Sequence, residues 1–423
     1  MFSYSLKYTL RSLFRDVIRG MLARWVVYRD IKKNESSIEA LARYVERVVG
    51  TLQPDFHSLR LISDAGDCVD KECVRDDPER FIRPRSLRTI FRNTIKTSGS
   101  TGRPLTITQD FWAVVREEAF VYRQLRWAGY GRRERKVWLR GDVVCAGTGH
   151  RTAFSCRDWW LNALMLSSYH ISSDTAQKYV DSIAAFDPVL IQAYPSSIYA
   201  LGSWMLANHI AYTGSALRGV VTSSETLTPE MKECIERAFN CQVFDWYGQA
   251  ERVIAIGTCE HGSHHVLTDY GRTELIPAGD GLYELVGTGY NNRAMSLVRY
   301  RTGDFIKFTG ATCVCKRVFP VVDCIIGRKD MTVTLSDGRQ IGRLDHVFKG
   351  MDNVVEGQVV YRGNNSFILR VVPGPDWCHG DAEKLVLNMR TRVSGVNVSV
   401  EAVTAIPRGA NGKFEFVRIE ERS

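Results

Sequence analysis

The chain has 423 residues, 44% hydrophobic and 24% charged, enough to bury a sizeable core over two or three domains and too balanced for a disordered or fibrous protein. Its net charge of +9 suits an anionic partner such as a nucleotide, CoA, nucleic acid or acidic lipid. The 56 basic residues are scattered, however, and form no basic stripe interleaved with aromatics, which argues against a nucleic-acid partner.

The N-terminus, MFSYSLKYTLRSLFRDVIRGMLARWVVYRD, carries Lys7, Arg11, Arg15, Arg19 and Arg24 in every apolar run, so it reads as neither a signal peptide nor a spanning helix, and a cytoplasmic location is expected. The helical spacing of those charges permits either an interfacial helix on an anionic membrane or a helix packed on its own domain. Residues 31–90 mix helical and loop character. Beyond them the pattern predicts a helix over Phe111–Trp127, a strand over Lys136–Arg140, a helix over Asp174–Phe186 and a strand over Pro188–Ala193. A helix over Ile198–His209 and a strand over Gly219–Ser223 follow. Strand and helix alternate, so the expected class is a layered α/β fold with a parallel component. From Tyr283 the chain turns β-rich, and beyond GRKD (Gly327–Asp330) it reads as a compact α+β unit. The expected organisation is a helical N-terminal segment (1–80), a large domain (81–327) and a small, mobile C-terminal domain (328–423). Eleven cysteines in a chain of this kind are expected to be mostly reduced core residues.

The segment TSGSTGRP (Thr97–Pro104) concentrates chemistry. Ser98, Ser100 and Thr101 offer hydroxyls, Gly99 and Gly102 let the backbone approach a ligand, and Arg103 matches phosphate geometry, a combination suited to a polyphosphate. The Gly-Lys-Ser/Thr ending of a P-loop is missing, and a surface turn is the alternative. Four further segments follow in order: SSETL (Ser223–Leu227), DWYGQAE (Asp245–Glu251), YRTGD (Tyr300–Asp304) with GRKD, and PRGANGK (Pro407–Lys413).

This ordered series resembles the adenylate-forming superfamily of acyl-CoA ligases and amide-forming synthetases. RWAGYGRRERKVWLRGD, SSYHIS, AYPSS and CEHGSHH are similar to its phenylacetate–CoA ligase-like branch, in particular the relatives from capsule and polysaccharide gene clusters. The resemblance runs from Phe81 to the C-terminus. It implies that Thr97 to Arg103 hold the β- and γ-phosphates of ATP, with Ser224, Glu225, Gly248 and Gln249 also bordering the nucleotide. Tyr247 would stack on adenine and Glu251 would coordinate Mg²⁺, for which a carboxylate oxygen is a suitable hard ligand. Asp304 is implied for the ribose hydroxyls, Arg328 for a nucleotide contact and Asp330 for the hinge about which the small domain turns. Lys413 matches the lysine that reaches the reacting carboxylate and α-phosphate. Tyr194, Pro195 and Ser196 would border the acyl substrate, with Ser223 and Trp246 nearby.

Three positions depart from the family pattern: Ala250 stands where a small hydroxyl residue is usual, Arg103 where lysine is more frequent, and Ser224 where glycine is common. Separately, Cys259 and His265, with Cys313 and Cys315, can supply four ligands to a tetrahedral structural zinc if the two segments meet. Some ligases of this branch have cysteines and a histidine at corresponding places. His261, His264 and Cys324 compete as ligands, and buried thiols without metal are the alternative. The expected function is ATP-dependent activation of a carboxylic acid as acyl-AMP, with pyrophosphate release and then transfer to a thiol, foremost that of CoA. An amine acceptor, and a weakly catalytic nucleotide-binding protein of a surface-polysaccharide system, are the alternatives.

Overall fold

The structure is a computed structural model and describes residues 19–423 except 51–55, 63–65, 87–88, 97–104, 141–153, 169–170, 328–332, 342–343, 407–415, 421–423 and positions 172, 226, 280, 349, 352, 375 and 405. Helical segments over Arg19–Glu35 and helix α1 (Ile38–Val49) come first. Ser37 caps α1 by accepting a hydrogen bond from the Ala40 N–H, and Gly50 ends it at φ +92°, where a side chain would strain the backbone. Strand β1 (Arg60–Leu61) precedes a hairpin of β2 (Arg92–Lys96) and β3 (Thr106–Asp110), paired from Arg92–Asp110 to Lys96–Thr106. The TSGSTGRP segment, between these two strands in the sequence, lies outside the described residues. Asp110 then caps helix α2 (Phe111–Trp127) through the Ala113 N–H at 3.0 Å.

The next elements are β4 (Lys136–Arg140), β5 (Ser155–Asp158), β6 (Ala163–Ser167), α3 (Ser173–Phe186), β7 (Leu190–Ala193), α4 (Pro195–Ala207), β8 (Gly219–Ser223), α5 (Pro229–Phe239) and β9 (Gln242–Gly248). The bounds of α2, β4 and β8 match the expectation. Helix α4 starts earlier than its apolar spacing suggests, because Pro195 occupies the first turn, where its fixed φ fits and its missing N–H costs nothing. Short strands β10 (Ala255–Thr258) and β11 (His264–Val266) lead to β12 (Gly271–Pro277), β13 (Leu282–Gly289), β14 (Tyr300–Lys307), β15 (Val321–Val322) and β16 (Cys324–Gly327).

Nine strands form one sheet in the order β15-β11-β10-β9-β8-β7-β4-β6-β5, of which β9, β8, β7, β4 and β6 run parallel. Tyr179, Ile183, Leu201, Met205, Ile235 and Phe239 of α3, α4 and α5 bury against Val137, Ile191, Val220 and Val243 of this sheet. Removing such side chains from water is worth about 1.5–3 kcal/mol each, which fixes the helical layer. Helix α2 forms another core cluster, with Phe120 and Trp127, that also takes in Leu41 and Val45 of α1 and Tyr270. Inside it the fully buried Arg123 donates to both oxygens of Asp269, at 2.7 and 2.8 Å, and Asn34 donates to the same carboxylate at 2.9 Å. Asn34 thereby ties the early helical segments to the large body through a buried ion pair.

A second sheet, β1-β12-β13-β14-β16, is antiparallel apart from β1. The C-terminal residues form the ribbon β17 (Val333–Thr334) and β18 (Gln340–Ile341). They also form a four-stranded sheet of β21 (Asn397–Ala402), β20 (Ser366–Pro373), β19 (Val354–Tyr361) and β22 (Val417–Ile419). Helix α6 (His379–Arg392) buries Leu385 and Met389 in a core with Val359, Phe367 and Leu369 of its own. The layered α/β class is as expected.

Candidate active site

Parallel strands bring their carboxyl ends to one edge of a sheet, where ligands of such folds bind. At that edge lie Arg140 at the end of β4, Tyr194 just after β7, Ser223 at the end of β8 with Ser224 just beyond it, and Tyr247 and Gly248 at the end of β9. Ser224 has φ +72°, in the left-handed region that glycine occupies without cost. That conformation is a physical reason for glycine to be common there, and Ser224 holds it while its hydroxyl accepts a hydrogen bond from Arg140. The same guanidinium lies 5.1 Å from the centre of the Tyr194 ring and 5.0 Å from that of Trp138. Glu225 is half-buried beside Ser224, Pro195 is buried at the start of α4, and Ser223 is buried at the end of β8.

The DWYGQAE and YRTGD segments meet. The Tyr247 hydroxyl donates to Asp304 Oδ2 at 2.8 Å, and the Tyr300 hydroxyl donates to Glu251 Oε1 at 2.9 Å. The register of β13 and β14 shifts between Glu284 and Val286, and Gly303 sits within this irregularity at φ +71°, one residue before Asp304. Asp304 and Glu251 are both buried, and Glu251 keeps Oε2 as a hard oxygen for a divalent cation. Both amide atoms of Gln249 are shielded from water without a partner among the described residues, an arrangement that fits a polar ligand. Behind the site, Thr222 Oγ1 donates to Asp245 Oδ1 at 2.7 Å, and burial pushes the Asp245 carboxyl up to about 6. Trp246 points into the core cluster of Phe120, Trp127 and Cys259. Thr97 to Arg103, Arg328, Asp330 and Lys413 lie outside the described residues, as does the side chain of Ser196.

Tyr300 and Arg140 were not singled out from the sequence. Tyr300 opens the YRTGD segment and Arg140 lies in VWLRGD, so a signal was present for both, but neither role can be read without the partner.

A second cluster lies just after β10, on β11 and in the loop before β15. Ligand atoms of Cys259, His265, Cys313 and Cys315 all lie within 4.8 Å of one another. Cys259 Sγ and Cys313 Sγ are 3.7 Å apart, and Cys315 Sγ is 3.3 Å from His265 Nε2. A tetrahedral zinc with Zn–S bonds of about 2.3 Å requires sulfurs about 3.8 Å apart, so the set fits this metal. The His265 Nδ1–H donates to the Phe319 carbonyl at 3.1 Å, which directs Nε2 toward the sulfurs, and burial lowers its basicity so that the ring stays neutral. His264 Nδ1 instead meets Thr258 Oγ1 at 3.0 Å, and neither it, His261 nor Cys324 joins the four.

The profile of the CapK C-terminal domain matches residues 333–420. Protein CapK of Staphylococcus aureus is 24% identical over 357 residues, which is 82% of this chain and 78% of that one. A phenylacetate-coenzyme A ligase of Pseudomonas putida is 28% identical over 252 residues, 55% of this chain and 54% of the ligase. The fold is shared with a solved 2-hydroxyisobutyryl-CoA ligase in complex with 2-HIB-AMP and CoA, at a TM-score of 0.51 and 16% identity, covering 96% of this chain and 89% of that one. No helix among the described residues is long and apolar enough to cross a membrane.

Proposed function

We infer that this chain, an adenylate-forming protein of the phenylacetate–CoA ligase-like branch, joins a carboxylic acid to the α-phosphate of ATP and passes the acyl group on to a thiol, foremost that of CoA. The observation that carries this reading is the pair of contacts Tyr247–Asp304 and Tyr300–Glu251. They join the two motifs assigned to adenosine and to the metal at the carboxyl edge of the parallel strands. In this reading the Tyr247 ring covers adenine while its hydroxyl holds the Asp304 carboxylate toward the ribose hydroxyls. The partnerless Gln249 amide supplies further polar contacts to the nucleotide. Glu251 would hold Mg²⁺, which when bound neutralises charge on the ATP phosphates.

The TSGSTGRP segment, which joins β2 to β3 in the chain, is assigned to the β- and γ-phosphates from its hydroxyls, glycines and arginine and from the resemblance. A carboxylate oxygen of the acid attacks the α-phosphorus and pyrophosphate leaves. The acceptor then attacks the acyl carbon and AMP leaves. No protein nucleophile is required. Lys413 is assigned to the charge that builds on the α-phosphate and Asp330 to the hinge between the half-reactions, with Arg328 on the nucleotide, all three from the resemblance. Tyr194, Pro195, Ser196 and Ser223 are assigned to the acyl side, and Cys259, His265, Cys313 and Cys315 would hold a structural zinc that ties β10 to the loop before β15. The four-ligand geometry supports that assignment.

The test is pyrophosphate release across a panel of aryl, fatty, hydroxy and amino acids, with CoA present and absent. One acid should give ATP-dependent release, with a CoA thioester as the product. Amide formation with an amine in place of CoA would move the acceptor. Silence across the panel with ATP still bound would replace the reading by a nucleotide-binding one.

A further inference from the structure

We propose that a tryptophan and arginine surface, on the edge of the nine-stranded sheet opposite the candidate active site, docks this protein on anionic lipid bilayers. Three tryptophans are left in solvent: Trp25 at 52% exposure, Trp159 at 75% and Trp160 at 47%, with Met21 and Val26 exposed beside Trp25 in the chain. They are distant in sequence but belong to one surface. The Arg132 guanidinium lies 5.0 Å from the Trp25 ring centre. The neighbouring Arg133 carbonyl accepts from Asn162 Nδ2 at 2.9 Å, and Asn162 Oδ1 accepts from Arg157 at 3.2 Å. Arg157 in turn lies 4.4 Å from the Trp159 ring centre.

Arg132, Arg133 and Arg157 are exposed, and no carboxylate pairs with them among the described residues. The acids nearby are engaged elsewhere. Asp158 accepts from the backbone N–H groups of Trp160 and Leu161, Glu134 pairs with Arg218, Asp187 with Arg135, and Asp30 with Arg47. What faces water is therefore a set of amphipathic rings held among uncompensated guanidinium groups. Tryptophan rings favour the headgroup level of a bilayer, and arginine is drawn to lipid phosphate while its stem lies along apolar surface.

The place in the fold agrees with such a role. Arg132 and Arg133 precede β4, and Trp159 and Trp160 precede β6, whose first residues Lys136 and Ala163 are register partners. This is the amino end of the parallel strands, whereas Arg140, Tyr194 and Ser224 sit at their carboxyl end. A bilayer on this surface leaves the nucleotide site open, and the inference does not depend on adenylation.

The experiment is co-sedimentation of the full chain with vesicles of phosphatidylcholine alone and of equimolar phosphatidylcholine and phosphatidylglycerol, at low and high salt. Quenching of tryptophan emission by brominated lipid is read alongside. Binding should require phosphatidylglycerol, weaken with salt and be accompanied by quenching. Each arginine facing an anionic surface contributes about fivefold to affinity, so R132E/R133E/R157E should weaken binding by more than about tenfold, with an unchanged melting temperature. W25S/W159S/W160S should abolish the quenching. Equal binding to neutral vesicles, no binding to either, or unaltered binding by the arginine variant overturns the proposal. So does binding of the arginine surface to a soluble polyanion without any quenching by brominated lipid.

Discussion

Replacing Tyr247 by Phe keeps the ring and removes one hydroxyl, so it separates stacking on adenine from orientation of Asp304. The bond that is lost is a hydroxyl donating to a buried carboxylate at 2.8 Å. Hydrogen bonds to charged groups contribute about 1.5–3 kcal/mol, and the half-buried position of Tyr247 sets the lower end, about 1.5 kcal/mol. If Asp304 holds the ribose, that loss falls on nucleotide affinity. Calorimetric titration with a non-hydrolysable ATP analogue should then show a Kd raised about tenfold. At saturating ATP and acid, the rate of pyrophosphate release should stay within about threefold of the parent, because in this reading the deleted hydroxyl serves the ribose contact and not the reacting phosphate. Tyr247→Ala, which also loses the ring, should raise Kd further. An unchanged Kd in Tyr247→Phe, with a lowered melting temperature, would make the bond a contact of the fold and refute the reasoning.

The buried carboxylate of Asp245 gives a pH test. Its folded pKa, about 6, lies above its ordinary 3.8, so ionisation opposes folding, and its stabilising contribution is present in acid and lost as pH rises through about 6. Asp245→Asn should raise stability above pH 7 by up to about 3 kcal/mol and flatten urea midpoints across that window; a midpoint that falls at pH 8 contradicts this. His264 has the opposite sign, since burial holds it near 4, so its contribution is present above about 6.5 and fades as pH falls toward 4. If the four ligands hold a zinc ion, the parent should carry about one zinc per chain, and Cys313→Ser should lower both the zinc content and the melting temperature. Unaltered zinc content in that variant would remove the metal assignment. Lys413→Ala should abolish acyl-AMP formation while ATP still binds, and normal turnover would sink its role. Asp330→Pro should spare adenylation and slow the transfer step, whereas equal loss in both steps would argue against a hinge.

Much of the architecture was legible because its signals are local. The alternation in Lys136–Arg140, the apolar run Gly219–Ser223 and the 3.6-residue spacing of Phe111–Trp127 each report on burial of a single element. The start of α4 lies three residues before the expected Ile198 because the apolar spacing does not register a polar, proline-led first helical turn. At the candidate site, residue types were legible from motif order, but couplings were not. Tyr300 and Glu251 are 49 positions apart, and Arg140 and Ser224 are 84 apart, so only the strand order makes them neighbours. The four metal-type ligands, His265 among them, were legible as a set because two short spacings supply them, and the alternation of side chains along β11 gives the physical reason that its neighbour His264 stays out. The arginine and tryptophan surface was invisible in a sequence whose charges look scattered, since turns before β4 and β6 and the early helices assemble it.

The most direct measurement follows an oxygen atom. With the active acid labelled with oxygen-18 in its carboxylate, one turnover in the presence of ATP and CoA should leave a single labelled oxygen in AMP and none in the other phosphate products. Attack on the α-phosphorus requires this distribution. Label in inorganic phosphate alongside ADP would mean an acyl phosphate, and label in neither product would mean no activation by phosphate at all; either result contradicts adenylation.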